Sequence, residues 1–291
     1  MESEHLYKYT SAESAKKILH YKTIRWSAPR LFNDPFDMQF VPDFGFTQEE
    51  FLKETLQRII GQIHDTPSAS KPKANTLIEA IEKYRTSNLP ISVDTIEKAF
   101  LPSLEKFYAE ICNGKQHILE LLKSMMGDFM VFCTSGVFDN LLMWSHYSDQ
   151  HKGVVLRFVK NKMRLGPPME VRYEKNVPPF MSLDELLAKM WGEIEQVAVD
   201  LVPNICLTKS SEWSYEHEWR CVHKFTGPDW PGYEYVSIDS GEIDAIYLGC
   251  RISEHDKRDI LSLLQHGFSH LVVYQATLNP REFKLDFGPV K

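Results

Sequence analysis

Apolar residues recur along this chain with two different periods, and the change of period marks its organisation. Leu6 to Tyr9 reads as a short strand, and Ser11 then offers an N-cap for a helix to about His20, with Ala15, Ile18 and Leu19 on its apolar side. Thr23 to Ala28 sets Ile24 and Trp26 against Arg25 and Ser27, the alternation of a strand, which Pro29 closes. Leu31 to Asp37 contains Asn33-Asp34-Pro35 and is expected to be an irregular turn, because proline pushes the residue before it out of the helical region. A helical period follows. Thr47 and Glu50 make a capping box ahead of Phe51, Leu52, Leu56, Ile59, Ile60 and Ile63. Further helices are expected at about Leu77 to Arg85, Val93 to Ile111 with a kink or break at Pro102, and Gln116 to Met126. The Pro-, Ser- and Lys-rich stretch Asp65 to Asn75 reads as a loop between them.

From Phe129 the pattern becomes mixed. Strands are expected at Phe129 to Cys133, Gly153 to Phe158, Val171 to Tyr173, Tyr215 to Val222, Tyr235 to Ile238, Ile243 to Leu248 and Leu271 to Ala276. Between them, Asp139 is read as the cap of a short helix to Tyr147. Ser182 starts a helix to about Leu201 with Leu186, Leu187, Met190, Ile194 and Val197 as its stripe, and Ser253 starts one to about Gln265. These elements predict an α+β fold: a central mixed sheet, a helical insertion after the second strand over about 47–127, and a C-terminal strand-helix-strand unit. They are expected to form one domain over 1–291.

Composition changes this picture little. The chain has 291 residues, 43% of them hydrophobic and 25% charged, which is ordinary for a globular protein with a substantial core. A net charge of −7 gives no global basic field for nucleic acid. No apolar run reaches bilayer length, and the acidic start Met1 to His5 lacks a following apolar segment, so the expectation is a cytoplasmic protein without membrane contact. The five cysteines are scattered and never spaced as C-x-x-C, which favours reduced thiols over disulfides or zinc.

The candidate chemistry centres on Tyr215-Glu216-His217-Glu218-Trp219-Arg220. On a strand, Glu216, Glu218 and Arg220 share one face, while Tyr215, His217, Trp219 and Cys221 point the other way into the core. The charged face is either an ordinary solvated strand surface or a cleft. Two carboxylates in a cleft would push their pKa values apart and suit acid/base work or stabilisation of a developing cation. Asn33 and Asp34 serve either as turn-formers or as groups presented into a pocket. His146 and Tyr147, in Met143-Trp144-Ser145-His146-Tyr147, are candidates for polar contact with a substrate, as are Lys8 and Tyr9 on the first strand and Ser135 at a strand end. His146 and His151 are badly spaced for a shared metal, no H-e-x-x-H pattern occurs, and no resident metal is expected. Walker, G-x-G-x-x-G and G-x-S-x-G motifs are absent, which disfavours phosphate-loop NTPases, dinucleotide-binding dehydrogenases and α/β-hydrolases.

Over about Leu6 to Gly249 the chain resembles a bacterial family of unknown function. The resemblance is carried by Leu6-Tyr7-Lys8-Tyr9, Phe32-Asn33-Asp34-Pro35-Phe36, Met143 to Tyr147, His151-Lys152-Gly153, Lys209 before Trp213, and Tyr215 to Arg220. A more distant resemblance is to ADP-ribosyltransferases. In those, a basic or His residue on the first strand, a Ser-Thr-Ser-like strand end and a late Glu-x-Glu follow in order. Here Lys8, Cys133-Thr134-Ser135 and Glu216-His217-Glu218 stand in that order, with Lys8 and Cys133 departing from the pattern.

That resemblance implies an NAD-utilising enzyme, a transferase or NAD glycohydrolase, and suggests a toxin or defence effector. Glu218 would stabilise an oxocarbenium-like state, Glu216 would activate a protein or nucleic-acid acceptor, and Tyr9 or Tyr147 would stack on nicotinamide, with Arg220 and Lys209 completing the site. Two alternatives stand beside it. One is a metal-dependent nucleic-acid-processing effector, with Asp34, Glu216 and Glu218 on a divalent cation and Lys8 or Lys209 on a phosphate. The other is a non-enzymatic module that binds a small ligand or partner.

Overall fold

The computed structural model describes residues 4–64, 76–87, 92–164, 166–194, 201–225 and 231–290. The expected loop Asp65 to Asn75 and the expected stripe residue Val197 lie outside them. The chain forms two compact units, one comprising Met1–Phe40, Met125–Asn176 and Ile205–Lys291, the other Val41–Ser124 and Val177–Asn204.

The first unit is built on a mixed sheet. Its elements are β1 (His5–Thr10), α1 (Ala12–Tyr21) and β2 (Thr23–Ser27). In the second unit come α2 (Gln48–His64), α3 (Thr76–Arg85) and most of α4 (Val93–Met126). The first unit resumes with β3 (Phe129–Ser135), α5 (Leu141–Tyr147), β4 (Val154–Val159), β5 (Met169–Glu170) and β6 (Arg172–Glu174). Helix α6 (Leu183–Met190) belongs to the second unit, and α7 (Leu201–Leu207) runs across the boundary between the two segments. The chain ends with β7 (Thr208–Ser210), β8 (Glu218–Lys224), β9 (Tyr233–Ser237), β10 (Ile243–Leu248), α8 (Glu254–Leu264), β11 (Val272–Leu278) and β12 (Leu285–Pro289).

The large sheet runs β12-β11-β10-β4-β1-β3-β2-β9, with β8 branching from β3 and carrying β5, while β6 and β7 form a small parallel pair. The architecture is therefore α+β with a large mixed sheet. The expected C-terminal strand-helix-strand unit is β10-α8-β11, and its two strands are parallel. One face of the sheet is closed by α1 and α8. Ala15, Ile18, Leu19, Ile260 and Leu264 bury there against Ile24, Trp26, Phe132, Leu156, Phe158 and Ile246. Polar ends fix the helices as the sequence requires: Ser11 accepts the Ser14 amide at the start of α1, and Ser253 accepts that of Asp256 at the start of α8.

The second unit has its own core, with Phe51, Ile59 and Ile63 of α2 packed with Ile81, Tyr84, Ile96, Phe100, Leu104, Leu186 and Leu187. The expected capping box is present: Thr47 Oγ1 accepts the Glu50 amide and Glu50 Oε2 accepts the Thr47 amide. Besides the helical stretch expected at 47–127, this unit takes in Val177–Asn204.

Several expectations need correction. The break expected between Ile111 and Gln116 does not occur, and α4 runs unbroken through Pro102. Buried Ile96, Phe100 and Leu104 bracket the proline, so packing outweighs the one hydrogen bond it forfeits. Asn140, not Asp139, caps α5, its side chain accepting from the Leu142 and Met143 amides. Helix α6 stops at Met190, followed by Gly192 with φ +70°. The strand expected from Tyr215 begins only at Glu218. Ser211–Glu216 is a 3-10 turn capped by Ser210, and His217 takes a left-handed conformation at φ 44°.

Candidate functional site

The site is set by three neighbouring strands of the first unit. Strand β1 pairs with β3 at Tyr7 and Ser135, and β3 pairs with β8 so that Cys133 faces Arg220 and Ser135 faces Glu218. A cavity of about 370 Å³ opens beside them. Its lining includes Lys8 and Tyr9 from β1, Cys133 to Ser135 from β3, His146 and Tyr147 from α5, Asn33 and Asp37 from the turn after β2, Lys209 from β7, and Glu216 and Glu218.

Behind this lining lies a buried ion cluster. Arg220 is fully buried; its Nε donates to Glu218 Oε1 at 2.8 Å, and its Nη2 donates to Glu218 Oε2 at 2.9 Å and to Asp37 Oδ1 at 2.6 Å. Its Nη1 donates to the Cys206 carbonyl at 2.8 Å. Lys209 Nζ sits between three carboxylates, 2.5 Å from Glu216 Oε2, 3.0 Å from Glu218 Oε2 and 3.3 Å from Asp37 Oδ2. Tyr147 donates its hydroxyl to Glu216 Oε1 at 2.6 Å, and the Glu218 amide donates to the Tyr173 hydroxyl at 2.7 Å. Buried charges persist only when paired and hydrogen-bonded, and here every carboxylate has a cation within reach.

The two glutamates are driven apart. Burial would push Glu218 up, but the Arg220 guanidinium and Lys209 ammonium outweigh it and hold that carboxyl well below its usual range. Burial also pushes Glu216 up; Lys209 opposes this and the Glu218 charge adds to it, so Glu216 stays above the usual value. Asp37 is raised by burial despite Arg220. Burial and the Glu216 charge keep the Tyr147 phenol protonated far into the alkaline range. Burial likewise raises the Cys133 thiol well above its ordinary value, so Cys133 is a neutral thiol on the cavity wall. Lys8 is lowered by burial, against the opposing pull of Cys133, Glu218 and Glu216.

The expected grouping thus divides. Glu216, Glu218 and Arg220 do lie together, but in the interior, at 3%, 4% and 0% exposure, and not on a solvent-facing strand surface. Of the residues expected to point into the core, Cys221 is buried, but His217 is exposed and Tyr215 and Trp219 are half-buried. Glu216, Glu218 and Arg220 still share a side across the left-handed His217, but that side is the covered one, closed by Asp37, the Cys206 carbonyl and Lys209. Arg220 is sealed behind Glu218, whose carboxylate it holds, and does not line the cavity.

Asp34 is also away from the cavity. Its carboxylate accepts the Phe36 amide at 2.9 Å and closes the turn. Asp37, three residues on, is the carboxylate that joins the cluster, and the sequence reading missed it. Ser135 lines the cavity, but its hydroxyl donates to the Glu216 carbonyl at 2.5 Å and accepts the Val137 amide at 3.1 Å. The Tyr9 hydroxyl donates to the Val137 carbonyl at 3.0 Å while its ring meets Trp144 edge-on. Among the described residues, no group of three or more His, Cys, Asp or Glu is arranged to hold a metal ion, and no helix is long and apolar enough to cross a membrane. The five cysteines are free thiols.

The stretch that carries most of this chemistry also carries the similarity. Residues 143–221 match the family model described as a protein of unknown function, DUF2971. The match runs from the first residue of Met143-Trp144-Ser145-His146-Tyr147 to just past Arg220, so the resemblance to a family of unknown function holds over this region. No curated protein and no solved structure matches the chain significantly. The matched segment supplies Tyr147, Lys209, Glu216, Glu218 and Arg220, while Lys8 and Asp37 come from outside it.

Proposed function

We propose that this protein is an NAD-utilising enzyme of the ADP-ribosyltransferase type, which breaks the bond between ribose and nicotinamide and passes the ribosyl carbon to an acceptor, or to water. The observation that carries the reading is a pair of neighbouring carboxylates on one cavity wall whose proton affinities are pushed in opposite directions, Glu218 down by Arg220 and Lys209 and Glu216 up by burial. Paired groups whose environments separate their pKa values divide the work of anion and proton carrier. Glu218, a permanent anion, stabilises the positive charge that develops on the ribosyl carbon. Glu216, whose affinity for a proton is raised, takes the proton from the acceptor, with Tyr147 bound to its other oxygen. Lys209 and Arg220 hold both carboxylates in place. A cavity of about 370 Å³ is at the small end of ligand pockets and suits the reacting ribosyl-base end of a dinucleotide.

The metal-dependent alternative has less support. Lys209 Nζ occupies the space between Asp37, Glu216 and Glu218 that a divalent cation would need, and Asp34 is committed to its turn.

The test is nicotinamide release from NAD by purified protein, with water, protein and nucleic acid offered as acceptors, with and without EDTA. EDTA-insensitive turnover that is lost in Glu216→Gln, while its melting curve stays cooperative, is the expected result. No binding or consumption of NAD under any of these conditions overturns the reading, as does activity that requires Mg²⁺.

A further inference from the structure

A row of three aromatic side chains leads away from the cavity. His146 of α5 is exposed and also lines the cavity wall. Its ring centroid lies 6.4 Å from that of Tyr215, which in turn lies 6.0 Å from that of Trp213, with tilts of 39° and 41° between neighbouring rings. Tyr215 and Trp213 are half-buried and stand outside the cavity lining. Part of their packing is structural. Trp213 covers the Lys209 ammonium at 5.1 Å, and Tyr215 packs against the core that holds Tyr9, Met143 and Trp144. Leucine would cover these places as well. What cover does not account for is the polar end of each ring. Among the described residues, the His146 imidazole, the Tyr215 hydroxyl and the Trp213 indole N–H have no hydrogen-bond partner, and none of them is sealed from water. Rings with an apolar body and a free polar tip are enriched where another molecule is gripped.

We infer that His146, Tyr215 and Trp213 form a stacking shelf for a purine base, the second base of a nucleotide ligand whose other half fills the cavity. In making that ligand a dinucleotide the inference rests on the function proposed above; the shelf itself does not. Size selects this occupant first. The cavity, at about 370 Å³, is at the small end of ligand pockets, so a dinucleotide with its ribosyl-nicotinamide end inside leaves its other base outside. Continuity selects it next. His146 belongs to both the cavity wall and the row, so the part of the ligand that emerges meets these rings. Every base has a π face, and aromatic side chains hold it through that face. The free imidazole, hydroxyl and indole N–H then stand ready to bond to the ring nitrogens and amino group of the base. Charge rules against a polynucleotide in the same place. Neither α5 nor the 3-10 turn carries Lys or Arg, and a nucleic-acid strand is held chiefly through its phosphates.

The probes are AMP, which has the purine, ribose 5-phosphate, which lacks it, and nicotinamide mononucleotide, which is the reacting half of NAD alone. Each is offered to the intact protein at millimolar concentration in equilibrium dialysis. AMP is expected to bind and ribose 5-phosphate is not. Stacking on an aromatic side chain contributes ~1–3 kcal/mol per base, so Tyr215→Leu and Trp213→Leu should each weaken AMP and NAD by at least about fivefold while nicotinamide mononucleotide binds as in wild type. Tyr215→Leu carries the test if Trp213→Leu does not fold, since the Trp213 ring also covers Lys209. The shelf is overturned by AMP that binds both variants as well as wild type, by ribose 5-phosphate that binds as well as AMP, or by no AMP binding at all. A variant that loses nicotinamide mononucleotide as much as AMP also overturns it, because the effect would then run through the cavity. An oligonucleotide that binds more tightly than AMP, and less tightly with added salt, overturns the choice of occupant. If AMP binds the shelf in a protein that releases no nicotinamide from NAD, the shelf stands and the enzymatic reading falls. If NAD is consumed with the same KM by wild type and both variants, the reverse holds.

Discussion

Replacing Lys209 with methionine removes the ammonium from between three carboxylates and keeps the stem that fills the space. The side chain is 5% exposed, so water does not replace the lost charge without rearrangement. At 3.0 Å, the Lys209–Glu218 pair alone has a Coulomb attraction of about 5 kcal/mol at an effective dielectric of ~20, partly offset by the desolvation of Lys209 that the variant no longer suffers. Breaking a buried pair by deleting one partner costs about 3–5 kcal/mol. At 2–4 °C per kcal/mol that lowers the melting temperature by roughly 6–20 °C.

The pH dependence of the loss is fixed by the shifts. Lys209 is raised by its carboxylate partners, so its contribution is complete below the ordinary lysine value and fades only as pH rises through its higher folded value. Glu218 is depressed, so its contribution is present above the ordinary carboxylate value and is lost as pH falls through its lower folded value. The wild-type cluster therefore holds between about pH 5 and 9. In the variant, Glu216, already raised, takes up a proton and relieves the repulsion. The deficit should be largest at pH 8 and smaller at pH 5. Urea unfolding followed by tryptophan fluorescence reads it, since Trp213 lies under the Lys209 ammonium at 5.1 Å. A loss below about 1 kcal/mol at pH 8 would refute the reasoning, the cluster then being no better than a surface ion pair, and so would a deficit that grows toward pH 5.

Other outcomes follow from the same geometry. Glu218→Gln should abolish turnover and also destabilise by about 3 kcal/mol, because Arg220 and Lys209 both lose a buried anionic partner; denaturant midpoint and nicotinamide release measure the two effects separately. Tyr147→Phe should destabilise by about 1.5–3 kcal/mol, because its hydroxyl donates to the Glu216 carboxylate, and should also lower turnover by removing that hydroxyl; denaturant midpoint and nicotinamide release read the two effects. Wild-type turnover should fall with acid at a pH above the ordinary glutamate value as Glu216 protonates, and a rate profile flat down to that ordinary value would count against Glu216 as the base. Gly249→Ala should destabilise by more than about 2 kcal/mol, because an added Cβ would lie 2.1 Å from the His151 carbonyl oxygen, where only backbone can yield; thermal unfolding checks it.

What could be read from the sequence was local. Ser11, Ser182 and Ser253 cap their helices because a hydroxyl at that position has an amide within reach whatever the rest of the chain does. Ile24 and Trp26 bury because alternation on a strand decides their face before any partner arrives. The misreadings share a different cause. Asp34 and Asp37 look alike in sequence, and only the position of Arg220, 183 residues away, selects Asp37. Ile111 to Gln116 carries Asn and Gly that read as a helix end, but helix propensity is a weak term against the packing on either side. The left-handed His217 was illegible because nothing local demands it; it resembles an ordinary strand position between two glutamates.

The same non-local dependence explains why a charged stretch that could equally be a strand surface is buried inside the first unit. Three carboxylates and two cations cannot be buried singly, and no pair among them closes the count of lone pairs and donors alone. Arg220 needs Asp37 from the turn after β2, Glu218 from its own strand and the Cys206 carbonyl at the end of α7; Lys209 needs Glu216 from the 3-10 turn. Five elements, the turn after β2, the end of α7, β7, the 3-10 turn and β8, must therefore be in place before all of these side chains are satisfied. A fold aimed only at stability would fill this space with apolar residues of similar volume, which are often neutral or stabilising in place of a buried ion cluster. The cluster keeps Glu218 ionised and Glu216 within reach of a proton on the wall of a cavity, a difference between two neighbouring carboxylates that apolar packing cannot supply.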